Sequence, residues 1–139
     1  MGSAVATAVT YVWLGMVLAI SFVEAPLKFR APGVSLAVGL GIGRLVFRAL
    51  NAAESLFAVA VLVTVAVGAL PYGAAVAEVV AIVALAVQLT AVRPRLARRS
   101  DLVLAGMDAP RSHAHHAYIA LESVKVVALL TAGVLLLAG

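Results

Sequence analysis

The sequence contains no cysteine, and only 12% of its 139 residues are charged. The absence of cysteine excludes a disulfide-stabilised scaffold and a zinc module with cysteine ligands. Soluble domains carry charge on about a quarter of their residues, so this chain has about half the charge that a water-covered surface needs. Its hydrophobic residues, 65% of the total, lie mostly in long runs of alanine, valine and leucine. This composition excludes a disordered chain and predicts an integral membrane protein.

Four stretches of the sequence are long and apolar enough to cross a bilayer, which takes about 20 residues for an α-helix. No internal repeat and no linker long enough for a second domain interrupts them, so residues 1–139 are predicted to form one domain. The fold class is therefore all-α, an integral-membrane four-helix bundle. The four predicted spans are residues 5–23, 49–70, 74–92 and 117–138.

The basic residues of the connections indicate how the bundle is oriented. One group lies between the first two spans and includes Lys28 and Arg30, and a second follows the third span, from Arg93 to Arg99. The N-terminal tail, the turn between the second and third spans and the C-terminus have no Lys or Arg. By the positive-inside rule, both termini are expected to lie outside and both long connections to lie in the cytoplasm. The expected location of the protein is the inner membrane of the cell. These basic residues are too few and too localised for a nucleic-acid binder.

Polar residues of three spans are predicted to share one depth in the membrane. Counted from the outer ends of their helices at 1.5 Å per residue, Glu54, Gln88 and Glu122 all lie roughly 23–24 Å in. Asn51 and Tyr118 lie about one turn closer to the cytoplasm. The outer half of the bundle is almost wholly apolar, with Glu78 as its exception.

The helical spacing places these residues on two stripes. Charged side chains that face lipid cost on the order of 2.5–3.5 kcal/mol each, so both stripes are expected to face inward. Glu54 or Glu122 would then pair with Lys125, Arg48 or Arg44. The stripes are Arg44, Arg48, Asn51 and Glu54 on the second span, and His115, Tyr118, Glu122 and Lys125 on the fourth.

The inward polar stripes have two interpretations that the sequence leaves open. They are structural ion pairs that fix helix register, or they are the site of a molecule that arrives through the cytoplasmic leaflet. In the second case the catalytic candidates are Glu54, Glu122, His115 and Tyr118, acting as acids, bases or proton donors. The substrate-binding candidates are Arg44, Arg48, Asn51, Gln88 and Lys125.

Two further motifs suggest ligands but favour simpler explanations. His113, His115 and His116 precede the fourth span, yet adjacent helical histidines point in different directions, so we expect no metal site there. The glycines Gly39, Gly41 and Gly43 lack the strand and the Lys-Ser/Thr of a phosphate loop, so we expect them to serve helix packing. No cofactor is indicated by the sequence.

Several short motifs follow one another in an order seen in one group of membrane proteins. They are a Trp-x-Gly pair, an Ala-Pro step with a following aromatic residue, a Gly-x-x-x-Phe stretch, an Arg-Pro-Arg exit from the third span and a His before the last. In this chain they are Trp13 and Gly15, Ala25, Pro26 and Phe29, Gly43 and Phe47, and Arg93, Pro94 and Arg95. The chain thereby resembles the bacterial four-helix proteins with the transmembrane-protein-205-like domain, a domain of unknown function. The resemblance implies a four-helix membrane fold and no particular chemistry.

A second analogy concerns the second span alone. Arg48, Asn51 and Glu54 resemble the Arg, Asn and Glu of the membrane-associated glutathione and eicosanoid enzymes, which are trimeric four-helix proteins of similar length. That family has one more residue between its Arg and Asn, and its pattern of Tyr and Arg for the thiol substrate is not evident in this chain.

Three classes of function follow from these observations. The first is a membrane enzyme or binding protein for a lipophilic small molecule, with the pocket at the cytoplasmic leaflet; whether it is an enzyme stays open. The second is a small transporter or ion-handling protein that uses Glu78 and the deeper glutamates. The third is an accessory subunit of a membrane complex. Four helices enclose little space, which is compatible with a homo-oligomer that shares pockets between subunits.

Overall fold

In the computed structural model, which describes residues 1–109 and 113–139, the described chain forms four long helices. Each is long and apolar enough to cross a membrane, so the predicted all-helical class with four candidate spans is confirmed. The helices are α1 (Gly2–Arg30), α2 (Leu36–Ala66), α3 (Tyr72–Leu104) and α4 (His113–Ala138).

The helices alternate in direction, so the bundle has two unlike ends. At one end, Ala6, Ala74 and Leu136 pack together, which brings both chain termini next to the turn between α2 and α3. At the other end, Arg44 of α2 pairs with Asp101 of α3. We call the first the terminal end and the second the basic end.

The limits of α2 follow from its capping residues. Ser35 caps its start, because its hydroxyl accepts a hydrogen bond from the Val38 amide at 3.2 Å. The helix ends at Ala66, before the predicted limit of the second span at Leu70. The reason is Gly68, whose φ of +70° lets the chain leave the helix while the last carbonyls stay bonded.

All four helices extend beyond the predicted spans at the basic end, where α2 begins at Leu36 rather than 49 and α4 at His113 rather than 117. The predicted first and third spans end at residues 23 and 92, whereas α1 continues to Arg30 and α3 to Leu104. The extension of α3, residues 93–104, carries five charged residues, and helical structure does not require an apolar sequence. The sequence Asp108–Ala109–Pro110 is typical of the start of a helix and predicts a cap before the fourth span, but Pro110 lies outside the described residues.

Wide helical turns interrupt α1 and α3 at matching places. Residues Leu18–Glu24 and Gln88–Val92 form π-helical turns, and each precedes a proline, Pro26 or Pro94. Proline has no amide donor and its ring clashes with the carbonyl four residues earlier, and an extra residue in the turn accommodates both problems. Each wide turn supplies a side chain to the site described below.

An apolar core fills the middle of the bundle. Its central side chain is Trp13 of α1, which is fully buried. The other buried members come from all four helices: Leu14, Val17, Ala58, Ala81, Leu85, Ala128 and Leu129. Alanine contributes three of these, so the helix backbones can approach closely, as expected for helices that pack within a membrane.

Candidate functional site

A buried lysine joins three of the four helices on the basic side of the core. The Nζ atom of Lys125 lies 2.5 Å from Glu54 Oε2, 2.6 Å from Glu122 Oε1 and 2.8 Å from Gln88 Oε1. An ammonium group has three N–H donors, so all of them are used. We call Glu54, Gln88, Glu122 and Lys125 the ionic cluster. Its members are 0–2% exposed, and Glu54, Gln88 and Glu122 meet at Lys125 inside the bundle.

The remaining helix, α1, contacts the ionic cluster through Trp13. Trp13 of α1 donates its indole N–H to Glu54 Oε2 at 2.8 Å. Within the cluster, Gln88 also donates its amide to Glu122 Oε1 at 3.1 Å. Trp13 therefore both packs in the apolar core and holds Glu54 by a hydrogen bond.

The second oxygen of Glu122 is bound by two hydroxyl groups. Tyr118 donates to Glu122 Oε2 at 2.6 Å, and Ser21 of α1 donates to the same atom. The two hydroxyl oxygens are themselves 3.1 Å apart. Ser21 lies in the wide turn before Pro26 and was not among the predicted site residues. In the sequence, only Pro26, about one turn further along α1, could have indicated that the helical register changes at Ser21.

A cavity of about 950 Å³ opens beside this hydroxyl pair at the basic end and is lined by all four helices. Ser21 and Tyr118 lie in its wall, so Glu122 is one hydrogen bond away from the cavity. Ligand pockets are typically 300–1,000 Å³ and mix an apolar wall with a few polar groups. Other polar and charged lining residues are Lys28, Arg44, Arg48, Asn51, Arg93, Arg99, Ser100, Asp101 and His115.

Arg93 stands out among the residues of this wall. The centre of its guanidinium lies 4.3 Å from the ring centroid of Phe47 and 4.6 Å from that of Tyr118. These two rings are in edge contact, with centroids 5.8 Å apart. The sequence indicated a lipid anchor and topology determinant for this arginine, and gave no sign that aromatic residues of α2 and α4 would enclose it.

The predicted site residues divide into two sets. Arg48, Asn51 and His115 line the cavity together with Tyr118, whereas Glu54, Gln88 and Lys125 lie behind its wall in the ionic cluster. Arg44 also lines the cavity, but its charge is paired with Asp101 rather than with Glu54 or Glu122. Ten residues, or roughly 15 Å of helix, separate Arg44 from Glu54, so the arginine lies too near the basic end to reach the cluster.

The histidines are not arranged around a common point. His115 lines the cavity, and the rings of His115 and His116 meet edge to face with centroids 5.9 Å apart. Among residues 1–109 and 113–139, no three His, Asp or Glu side chains are grouped as metal ligands.

Glu78 lies apart from the ionic cluster, on the terminal side of the core. It is fully buried, and Thr10 of α1 donates its hydroxyl to Glu78 Oε1. The other carboxylate oxygen has no hydrogen-bond partner in the described part of the chain. Its helical position, ten residues before Gln88, puts roughly 15 Å of α3 between the two polar sites.

Comparison of the chain with family models, curated proteins and solved structures finds no match. Both family resemblances therefore stay predictions, and function has to be argued from the site itself.

Proposed function

We propose that this is a multi-pass membrane protein whose basic-end cavity binds a lipophilic small molecule and presents it to an acid–base pair, Tyr118 and Glu122. The observation that carries the proposal is the position of Tyr118. Its hydroxyl lies at the cavity wall and donates to a carboxylate that is itself buried. A molecule in the cavity can exchange a proton with Tyr118, while Glu122 takes or returns a proton on the other side.

The ionic cluster has a supporting role in this proposal. Lys125, Gln88 and Ser21 hold the carboxylate of Glu122 in one orientation. A buried group that is fixed by its neighbours needs little rearrangement during proton transfer. Glu54 fixes Lys125 in turn, so the cluster positions Glu122 rather than touching the bound molecule.

The remaining cavity residues suggest how the molecule is oriented. Asn51 offers an amide and Arg48 a cation one to two turns from Glu54 on α2, and His115 faces the same space from α4. These groups supply donors and acceptors for a polar substituent, and the apolar wall accommodates the rest. A measurement of turnover distinguishes a protein that only binds the molecule from an enzyme that transforms it.

In the proposed orientation the protein lies in the inner membrane, with its basic end in the cytoplasm. The concentration of Lys and Arg at that end supports it through the positive-inside rule. The chain has no cysteine, so single cysteines at Ser3 and Arg98, both exposed, test it directly. A membrane-impermeant maleimide should label Ser3→Cys on intact cells and Arg98→Cys only after permeabilisation. The reverse pattern would overturn the orientation.

Occupancy of the cavity can be tested with a photoreactive neutral amphiphile. In nanodiscs, a diazirine-bearing hexadecanol should crosslink to residues of the cavity, and peptide mass spectrometry would locate the adducts. Leu40→Trp should abolish that labelling because Leu40 lines the cavity, whereas Leu62→Trp on the exposed surface of α2 should not. Adducts confined to the outer surface, or equal labelling of both variants, would contradict the proposal.

The two competing functions make different use of the same residues. A transporter would need a polar route from Glu78 to the ionic cluster, but an apolar core around Trp13 and Leu129 fills that interval. An accessory subunit is favoured by the complete pairing of Lys125, because a fully bonded cluster also fixes helix register. A homo-oligomer is compatible with either role. Absence of ligand labelling in the cavity, together with co-purification of a stoichiometric partner, would favour the accessory role.

A further inference from the structure

The charges on the cavity wall are strongly unbalanced. Five cationic side chains line it, Lys28, Arg44, Arg48, Arg93 and Arg99, against one carboxylate, Asp101. Asp101 is taken by Arg44, and Lys28 lies 3.6 Å from Glu24. In the described part of the chain, no acidic side chain pairs with Arg48, Arg93 or Arg99. The cavity wall therefore concentrates positive charge. In low-dielectric surroundings these like charges repel one another more strongly than they would in water.

Two donors of Arg93 have no acceptor. Its Nε and Nη2 atoms are buried and make no hydrogen bond in the described part of the chain. These atoms share one edge of the guanidinium, the edge with which arginine binds both oxygens of a carboxylate or phosphate at once. Buried donors without an acceptor are costly, so a negative charge near Arg93 would stabilise it.

The stacking around Phe47 strengthens the case for an anion. Arg93 lies 4.3 Å from the Phe47 ring centroid, and the Nζ of Lys28 lies 5.7 Å from the same centroid. Two cations from different helices are thus held on one ring although they repel each other. An anion beside them would remove this repulsion.

We propose that the ligand of the cavity is an anionic amphiphile, whose carboxylate or phosphate headgroup is bound by the cations Lys28, Arg48 and Arg93 of the cavity wall. This assignment rests on the proposed function, because it names the class of molecule that the same cavity takes. The alkyl portion lies along the apolar part of the wall, where Phe22, Leu89 and Ile119 come from three different helices. Leu89 is one turn from Arg93 on α3, so headgroup and tail sites are continuous.

Competition against the neutral hexadecanol probe tests the inference without any mutation. In phosphatidylcholine nanodiscs, hexadecyl phosphate should displace the cavity label at a concentration at least tenfold lower than unlabelled hexadecanol, a difference of about 1.4 kcal/mol. Hexadecyltrimethylammonium should displace it less well than hexadecanol. Dioleoylphosphatidate forms a further arm. Displacement by it supports a phospholipid as the source of the headgroup, and displacement by hexadecyl phosphate alone supports a free single-chain anion.

Arginine variants then locate the headgroup. Arg93→Gln should reduce the preference for hexadecyl phosphate over hexadecanol at least tenfold, and Arg93→Lys should restore only part of it because lysine keeps the charge and lacks the two-donor edge. Arg98→Gln is the matched control, since Arg98 is exposed on the same helix and does not line the cavity. If Arg93→Gln fails to fold, Arg48→Gln replaces it, because Arg48 is exposed and should lose a smaller part of the preference.

The outcomes separate this inference from the function on which it rests. Cavity labelling that hexadecanol and hexadecyl phosphate displace equally would overturn the anionic ligand and leave a lipophilic site. A preference that Arg93→Gln and Arg98→Gln reduce equally would also overturn it, because the charge would then act only as a general surface attraction. Absence of any cavity labelling, with no displacement by either compound, would contradict the proposed function as well.

Discussion

Replacement of Lys125 by methionine should destabilise the protein severely. Methionine is unbranched and of similar length, so the change removes the charge and three hydrogen bonds while it largely keeps the volume. Glu54 and Glu122 would then face each other as buried carboxylates, both only 1% exposed. Removing one partner from a buried ion pair costs about 3–5 kcal/mol. Because folded proteins are stable by about 5–15 kcal/mol, this loss is a large fraction of the total.

The size of the loss can be measured by unfolding in mixed micelles with an increasing fraction of SDS, followed by circular dichroism. Ser123→Ala is the control on the same helix, because its exposed hydroxyl bonds only to the carbonyl of Ile119 at 2.9 Å. It should change the unfolding free energy by less than about 0.5 kcal/mol.

A compensating variant separates charge from packing. Adding Glu54→Gln and Glu122→Gln to Lys125→Met should recover much of the lost stability, because no unpaired charge then stays buried. Changes in one bonded network are coupled by about 0.5–3 kcal/mol. A Lys125→Met loss no larger than that of Ser123→Ala, or a triple variant no more stable than the single one, would refute the reasoning.

Two further predictions use features peculiar to this chain. Trp13 is the single tryptophan, so Glu54→Gln, which weakens the acceptor of its indole N–H, should shift its fluorescence maximum while circular dichroism stays unchanged; an unshifted maximum would contradict the bond. In SDS unfolding, Gly39→Ala should be less stable than Gly41→Ala by about 1–3 kcal/mol. A methyl group at Gly39 would overlap the Phe29 ring, whereas one at Gly41 meets an atom only at 4.0 Å. Equal stability of the two variants would contradict this packing.

The sequence predicted the helices and the inward charges for a clear physical reason. Charged and amide groups in an apolar span are costly unless they find one another, so the depth of Glu54, Gln88 and Glu122 predicted that they face inward. The sequence left Lys125, Arg44 and Arg48 open as partners of the glutamates, and the structure pairs both with Lys125. Helix ends were harder to predict from the sequence, because the end of α2 depends on the backbone conformation of Gly68 rather than on hydropathy.

The roles of Ser21 and Arg93 in the site could not be predicted from the helical periodicity of the sequence. Ser21 reaches Glu122 from a wide turn, in which the usual spacing of 3.6 residues does not hold. The enclosure of Arg93 depends on Phe47 and Tyr118 from two other helices. Such a contact is a property of the three-dimensional packing, and a single sequence carries no pattern for it.

The most direct test of the central claim is an experimental structure of the protein in nanodiscs, purified without added ligand. Our account predicts elongated non-protein density in the basic-end cavity, with one end against Lys28, Arg48 and Arg93 and a polar atom near the Tyr118 hydroxyl. A cavity closed by its own side chains, or one that holds only ordered water, would contradict it.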